Sequence, residues 1–515
     1  MSVQGERVLA RVVTAQAAAA ASVPWLEAAR SDRVVDRAEL AASVARWSAY
    51  GVVGQRVGLL TTDPVAFGTL FVSLISAGAT VVPLDPNAPA EAVHAMVATS
   101  GCALAVTTLD HPPVGALPVL HVDPVSWAPE GVPAHRPRPS ETTSETTSET
   151  TTETATTTAT EGGCVLFSSG STGPRKAIRL GEAQLLHVAR AVARAYELGP
   201  ADRGFNSLPL THVNGEVVGL LAPLVSGGTV VLDDRFHRTG FWDVAAQRAA
   251  TWINAVPSII AILAQEPPGP AAPSAPSSVR FVRSASAPLS EAVLARFEER
   301  YGVPVIESYG MTEAGSQITA NPLADRRPGT VGIPVDVELR VVGDGEAPLP
   351  FGEVGRVEIR GAGVIRHYED GVGAERFRAD GWLDTGDLGA VDDEGFLTLA
   401  GREGDVINRG GEKIFPREVE DLLLAHRAVA DAVVVGRDDE VLGQVPVAYV
   451  VPGPNAPDDL EEQLTVRCLA ALPRAHRPVA YVVLDAVPVG PTGKPVRRLV
   501  ADLDRDSLTA GGGRR

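Results

Sequence analysis

Short apolar runs rich in β-branched residues alternate with longer stretches of helical spacing from about residue 35 to about residue 340. Val57-Gly58-Leu59-Leu60, Thr229-Val230-Val231-Leu232 and Arg280-Phe281-Val282-Arg283 are three such runs. Strands that alternate with helical segments predict βαβ units and largely parallel sheets. The uncharged stretch Pro64 to Leu84 has the length to cross a bilayer. However, Ser76-Ala77-Gly78 interrupts it, and Ala79 to Leu84 is β-branched, so the pattern predicts a helix, a tight turn and a buried strand. LFVSLISAGATVVPLD, ending at Asp85, is echoed by LLAPLVSGGTVVLDD, ending at Asp234. Two similarly wound subdomains account for the echo, and so does shared βαβ grammar.

The texture changes after about residue 330. Gly355-Arg356-Val357-Glu358-Ile359 and Gly395-Phe396-Leu397-Thr398-Leu399 predict a small β-rich subdomain. GREGDVINRGGEKI (401–414) reads as a boundary, rich in glycine and charge. Beyond it, PREVEDLLLAHRAV predicts an amphipathic helix started by proline, and ADAVVVGR and VPVAYVVP predict strands. The expected fold class is therefore α/β. A large N-terminal domain (1–401) holds two wound βαβ subdomains and a small β-rich subdomain, and a small α+β domain (402–515) follows.

Composition narrows the function classes. The chain has 515 residues, 45% hydrophobic and 21% charged, as befits a globular protein of more than one domain. A net charge of −18, with Lys and Arg scattered, argues against a nucleic-acid surface. Cys102, Cys164 and Cys468 lie far apart, with no metal-ligand spacing, which suits a reducing cytosol. The segment MSVQGERVLARVV lacks the apolar core of a signal peptide, so a cytoplasmic location is expected. The Thr/Glu repeats of residues 139–163 and the proline-rich 265–278 read as solvated loops.

Four segments carry candidate chemistry. Cys164 to Phe167 predicts a buried strand, and Ser168-Ser169-Gly170-Ser171-Thr172-Gly173-Pro174-Arg175-Lys176 follows it. Glycines let backbone N–H groups converge, and hydroxyls add donors, which is how phosphate oxygens are gripped. The segment is not a Walker A loop, and a plain flexible loop is the competing reading. Glu307-Ser308-Tyr309-Gly310-Met311-Thr312-Glu313 follows the apolar Val303 to Ile306, at the strand end where parallel sheets bind ligands. Tyr309 offers a flat face, Thr312 a hydroxyl and Glu313 a hard oxygen for Mg²⁺. In Trp382-Leu383-Asp384-Thr385-Gly386-Asp387 a carboxylate follows a glycine turn, with Arg402 fifteen residues on. Pro491-Thr492-Gly493-Lys494 places a lysine on a glycine turn. Taken singly, each has an ordinary reading as a loop, a cap or a solvent-exposed cation.

Together, in this order and wording, the motifs resemble the adenylate-forming superfamily from about residue 35 to 500. FSSGSTGPRK is similar to its phosphate loop, SYGMTEAG to its adenine and Mg²⁺ motif and GWLDTGDLG to its ribose motif. GREGDVINRGGEKI is similar to its interdomain hinge, and PTGK carries its lysine. The resemblance implies that a carboxylate attacks the α-phosphate of ATP, giving acyl-AMP and pyrophosphate. A thiol, of coenzyme A or of a carrier-protein phosphopantetheine, then expels AMP. It implies that Ser168 through Lys176 hold the β- and γ-phosphates and that Tyr309 stacks on adenine, with Ala285, Ser286 and Ala287 opposite. Glu307, Ser308, Gly310 and Met311 complete that nucleotide site. Thr312 and Glu313 take the α-phosphate and Mg²⁺, and Asp387 and Arg402 the ribose. Lys494 bridges carboxylate and α-phosphate. The C-terminal domain is then mobile: it swings about a hinge near 402–404, and Gly410-Gly411-Glu412-Lys413 enters for the thiol step. Two positions depart from the family pattern: Gly404 replaces an Asp or Lys at the hinge, and Lys413 stands where many relatives have Arg.

The resemblance assigns the acid to a pocket of His212, Gly215, Gly219, Val256, Ser286, Gly310 and Gly315. Val213 stands where amino-acid-activating relatives keep an Asp, which disfavours an α-amino acid. The wording from Met311 to Leu323 is similar to the oxalate–CoA ligase branch, but Ser316 replaces a histidine there. Glycines at 215, 219 and 315 read as an open pocket, favouring a bulky, mostly apolar monocarboxylate of bacterial secondary metabolism. The alternatives are a carrier-protein-loading enzyme and an oxalate or small-dicarboxylate ligase. A free-standing monomer or homodimer with no membrane span is expected.

Overall fold

The computed structural model describes residues 7–123, 125–130, 161–167, 176–265, 274–489 and 496–510, with side chains to residue 503. The expectations for Ser168 to Arg175, for Lys494 and for most of the Thr/Glu repeat lie outside the described residues.

The helix Pro64–Ser76 begins where the Asp63 carboxylate caps the N–H groups of Val65 and Ala66, with proline at its first position. It ends at Ala77, and Gly78 turns the chain at a left-handed φ of +86°. The strand Thr80–Pro83 follows, buried throughout. The uncharged stretch is thus a core helix and a core strand. Among the described residues no helix is long and apolar enough to cross a membrane.

That strand belongs to a six-stranded sheet in which Arg56–Leu60 lies parallel to both Thr80–Pro83 and Leu104–Thr107. A nine-stranded sheet carries the parallel strands Arg203–Asn206, Thr229–Leu232, Trp252–Ala255, Phe281–Ser284 and Val305–Tyr309. One apolar core joins the two sheets. Val57, Val81 and Leu166 of the first and Leu232, Trp252 and Phe281 of the second share it with helix residues such as Phe71 and Val192. The β-rich subdomain is a four-stranded antiparallel sheet, from Glu338–Val342 to Leu397–Arg402. The C-terminal domain is a five-stranded sheet with the helices Pro416–Leu424 and Leu460–Ala471 against it.

Two elements differ from expectation. The strand after Val303 runs through Tyr309, because Ser308 and Tyr309 pair with Ala320 and Thr319 of an antiparallel strand. Those pairs satisfy backbone groups that a loop would leave to water. Residues Asn214–Leu221 form a π-helix, which no spacing rule signals. Its glycines mark close packing. A Cβ on Gly215 would stand 2.4 Å from the Pro209 carbonyl oxygen, and one on Gly219 would stand 2.6 Å from the Asn206 side chain. A Cβ on Gly315 would meet Val188 at 2.9 Å. The expectation that these glycines open the acyl pocket is therefore corrected: their missing side chains make room for protein atoms.

Glu216 of the same π-helix is fully buried, and neither carboxyl oxygen has a hydrogen-bond partner among the described residues. Burial pushes its pKa well up, so the folded state holds it protonated. A group protonated when folded but ionised when unfolded contributes least to stability at high pH. Glu216→Leu is expected to raise stability by about 1–3 kcal/mol at alkaline pH, read as a higher urea midpoint. A lower midpoint would mean that the carboxyl has a favourable partner.

Candidate active site

The carboxyl end of Val305–Tyr309 meets the strand Leu383–Val391 of the β-rich sheet. Gly386 sits there at φ +73°, where the pairing register with Gly355–Arg360 shifts, and this bulge turns Asp387 toward Tyr309. The Tyr309 hydroxyl donates to Asp387 Oδ2 at 2.5 Å, and Arg402 Nε donates to Asp387 Oδ1 at 3.1 Å. Burial, and then the Asp387 charge, push the Tyr309 pKa well up, so it remains a hydroxyl. Asp387 chiefly raises the Arg402 pKa. A ring, a carboxylate and a guanidinium thus meet at one edge, suited to a base and two vicinal hydroxyls.

Glu313 lies in a short 3₁₀ turn, Thr312–Ala314, and is buried. Its Oε1 accepts from the Tyr368 hydroxyl at 2.7 Å and lies 3.4 Å from Arg376 Nη1. Lys176 places its ammonium 4.6 Å from the Tyr368 ring centroid, a cation–π contact. Burial and Glu313 raise the Tyr368 pKa. The donor set fits Mg²⁺: a hard carboxylate with one oxygen engaged keeps a second to offer. Tyr368 and Arg376 escaped the sequence reading, because nothing in RHYEDGVGAER distinguishes them from a surface loop.

Ser286, at a left-handed φ of +79°, accepts from Asn214 Nδ2 at 3.1 Å. Behind them Arg283 is fully buried, held by Tyr196, Asn214, Asn254 and Gln317. The sequence signal was there: a charged residue within a buried parallel strand is out of place. Ala285 is buried beside Ser286, and Ala287 is half-buried. Ser308 Oγ bonds back to the Ser284 carbonyl. Gly310 packs so tightly that a Cβ would stand 1.6 Å from the Ser316 carbonyl oxygen. His212, Val256, Met311 and Thr312 are half-buried.

Glu307 is placed otherwise than expected. Its carboxyl faces Arg417 and Asp421 of the C-terminal helix Pro416–Leu424, with Glu291 and the Gly329 N–H alongside. Arg417 also donates to the Leu399 carbonyl at 3.0 Å, and Arg296 to the Leu424 carbonyl at 3.4 Å, which ties the two domains. Burial pushes Glu307 up to about 7 and Asp421 up to about 6. Both values exceed those of an unfolded carboxylate, so the folded state binds the extra protons. This stabilisation is complete below about pH 4 and is lost as pH rises through about 7. Glu307→Gln is expected to remove about 3 kcal/mol of the fall in stability between about pH 5 and pH 8, measured by urea unfolding at each pH. An unchanged slope would place the titration elsewhere.

The hinge position follows directly on Arg402, whereas the glycine hairpin of the thiol expectation lies apart from these groups. Gly404 is in a 3₁₀ turn, Glu403–Asp405, and a Cβ there would meet nothing within 4 Å. Gly410 and Gly411, both at positive φ, turn a hairpin between Ile407–Arg409 and Glu412–Ile414, with Glu412 and Lys413 exposed. No described hydrogen bond or ion pair joins this hairpin to Tyr309, Glu313 or Asp387.

Fold and site together define a two-domain α/β protein whose ligand-facing groups gather at strand carboxyl ends. The family described as AMP-binding enzyme matches residues 34–369, and its C-terminal domain matches 418–494. The chain belongs to this family. It is 41% identical over 339 residues to a sulfoacetate–CoA ligase of Cupriavidus necator, covering 65% of each chain. It is 36% identical over 348 residues to an oxalate–CoA ligase of Saccharomyces cerevisiae, covering 66% of this chain and 62% of that one. The matched stretches thus span somewhat under two thirds of these relatives' own lengths. The o-succinylbenzoate CoA synthetase of Bacillus subtilis, solved with its acyl-adenylate, superposes with a TM-score of 0.79 at 27% identity, covering 95% of this chain and 97% of that one.

Proposed function

We propose that the chain is an AMP-forming acid–thiol ligase that converts a carboxylic acid, ATP and coenzyme A to acyl-CoA, AMP and pyrophosphate. The observation that carries this reading is the convergence of Tyr309, Asp387 and Arg402 on one edge, in a member of the AMP-binding family. A carboxylate oxygen bonds to the α-phosphorus, and the bond from that phosphorus to the pyrophosphate oxygen breaks. The thiolate sulfur then bonds to the acyl carbon and AMP leaves with the electron pair. Positioning and charge neutralisation dominate such in-line chemistry. In this reading Tyr309 stacks on the base while Asp387 and Arg402 hold the ribose. Ser168 through Lys176 hold the departing pyrophosphate, and Lys494 meets the reacting oxygens. Thr312 and Glu313 hold the α-phosphate and Mg²⁺, which supplies charge neutralisation when bound.

Residues 1–401 form the activating domain and 402–515 the mobile one, hinged near 402–404, with Gly410 to Lys413 serving the thiol step. The working location is the cytoplasm. The acid is polar: sulfoacetate and oxalate, named for the two relatives, each carry a second anionic group, and the glycines that argued for a bulky apolar acid pack against protein. Incubation with ATP, an acid library and either coenzyme A or a phosphopantetheinylated carrier protein tests the reading. Acyl-CoA is expected, and acylation of the carrier alone would favour the carrier-loading alternative.

A further inference from the structure

Arg283 lies in the strand Phe281–Ser284, in register with Asn254, which in turn is in register with Asn206. The three make a polar row across adjacent parallel strands near their carboxyl ends. Arg283 has no exposed surface, and its four hydrogen-bond partners among the described residues are all neutral. They are Tyr196 Oη at 3.1 Å, Asn214 Oδ1 at 2.9 Å, Asn254 Oδ1 at 3.1 Å and Gln317 Oε1 at 3.0 Å. A buried charge is ordinarily neutralised by an opposite one, because desolvation is otherwise costly. Here the cation is solvated by amide and hydroxyl oxygens, with no carboxylate partner among the described residues.

A guanidinium only donates, so the amide oxygens of Asn214 and Asn254 must face it, and their NH₂ groups must point away. Asn214 Nδ2 therefore donates outward to Ser286 Oγ, whose own hydrogen is left to donate further. Ser286 is half-buried and held in a left-handed backbone that costs a non-glycine residue on the order of 1–3 kcal/mol, so its placement is over-determined. Each bond in the chain polarises the next, and the positive end emerges at the Ser286 hydroxyl.

We propose that Arg283, acting through Asn214 and Ser286, selects an acid substrate that bears a second anionic group besides the carboxylate that is activated. This inference rests on the acid-activating reading above and assigns its specificity to one relay. Arg283 is a positioning residue here. The Ser286 hydroxyl is the group that meets the substrate anion, and the guanidinium charge behind it sets the preference.

The test compares acids matched in length: succinate with butyrate, glutarate with pentanoate and sulfoacetate with propanoate. Pyrophosphate release is followed with saturating ATP and coenzyme A. The wild-type protein is expected to favour the dianion of at least one pair by on the order of 10²-fold in kcat/KM, mainly through KM. Asn214→Asp keeps the side-chain size and gives Arg283 a carboxylate, so the fold is retained while the relay is cancelled. That variant is expected to bring the preference within about 10-fold, with a melting temperature no lower than the wild type's. Arg283→Met is expected to move the ratio the same way. A ratio unchanged in a folded Asn214→Asp protein would make the network merely structural and overturn the proposal. So would wild-type protein that activates the monoanionic acids as well as their dianionic partners. Absence of pyrophosphate with every acid would instead remove the acid-activating reading, and this proposal with it.

Discussion

Lys494→Ala is expected to lower acid-dependent ATP–pyrophosphate exchange on the order of 10²–10³-fold while leaving thiol transfer from preformed acyl-AMP largely intact. The reason is where charge accumulates. An anionic carboxylate must approach an anionic α-phosphate, and a cation at about 4 Å offsets roughly 4 kcal/mol of that repulsion at intermediate dielectric. Removing one preorganised donor of this kind has costs of that size in other sites. Lys176 has a separate place: its ammonium sits on the Tyr368 ring beside Glu313, where the resemblance puts the outer phosphates. Lys176→Ala should therefore raise the KM for ATP more than it lowers kcat. Equal loss of both half-reactions in Lys494→Ala would show that this lysine is structural.

Glu313→Gln is expected to lower the same half-reaction by a comparable 10²–10³-fold and to raise the Mg²⁺ concentration needed for half-maximal rate. The glutamine oxygen can still accept from Tyr368, which now bonds to Glu313 Oε1 at 2.7 Å, so local packing survives. Two things are lost: the hard anionic ligand and the charge partner of Arg376, 3.4 Å from that oxygen. An Arg376 left without its anion adds positive charge beside the phosphates, so nucleotide binding is expected to weaken less than turnover. The check is a pair of measurements, binding of MgATP by calorimetry and pyrophosphate exchange across a Mg²⁺ titration. A rate within about threefold of wild type at every Mg²⁺ concentration would remove Glu313 from the metal's ligands.

Local signals made part of this legible in the sequence. Asp63 and Pro64 start a helix, and Ala77-Gly78 ends it, because capping and positive φ are properties of single residues. The glycine turn before Asp387 was readable for the same reason, since Gly386 takes a conformation that side chains resist. What escaped depends on partners distant in the chain. Tyr368 reaches Glu313 across 55 residues, and Arg283 reaches Asn214 across 69. Glu307 sits in the expected motif, yet its carboxyl turns to Arg417, more than 100 residues on, in the other domain. The glycines show the sharper limit. A sequence displays the absence of a side chain but not what fills the space, and at Gly215 and Gly219 that is Pro209 and Asn206.

In the proposed reaction the acid's own oxygen attacks the α-phosphorus. An acid that supports pyrophosphate release, labelled with ¹⁸O in its carboxylate, tests this directly when turned over with ATP and coenzyme A. AMP is expected to gain one labelled oxygen and pyrophosphate to carry none. Label in inorganic phosphate, with ADP as the nucleotide product, would contradict that attack.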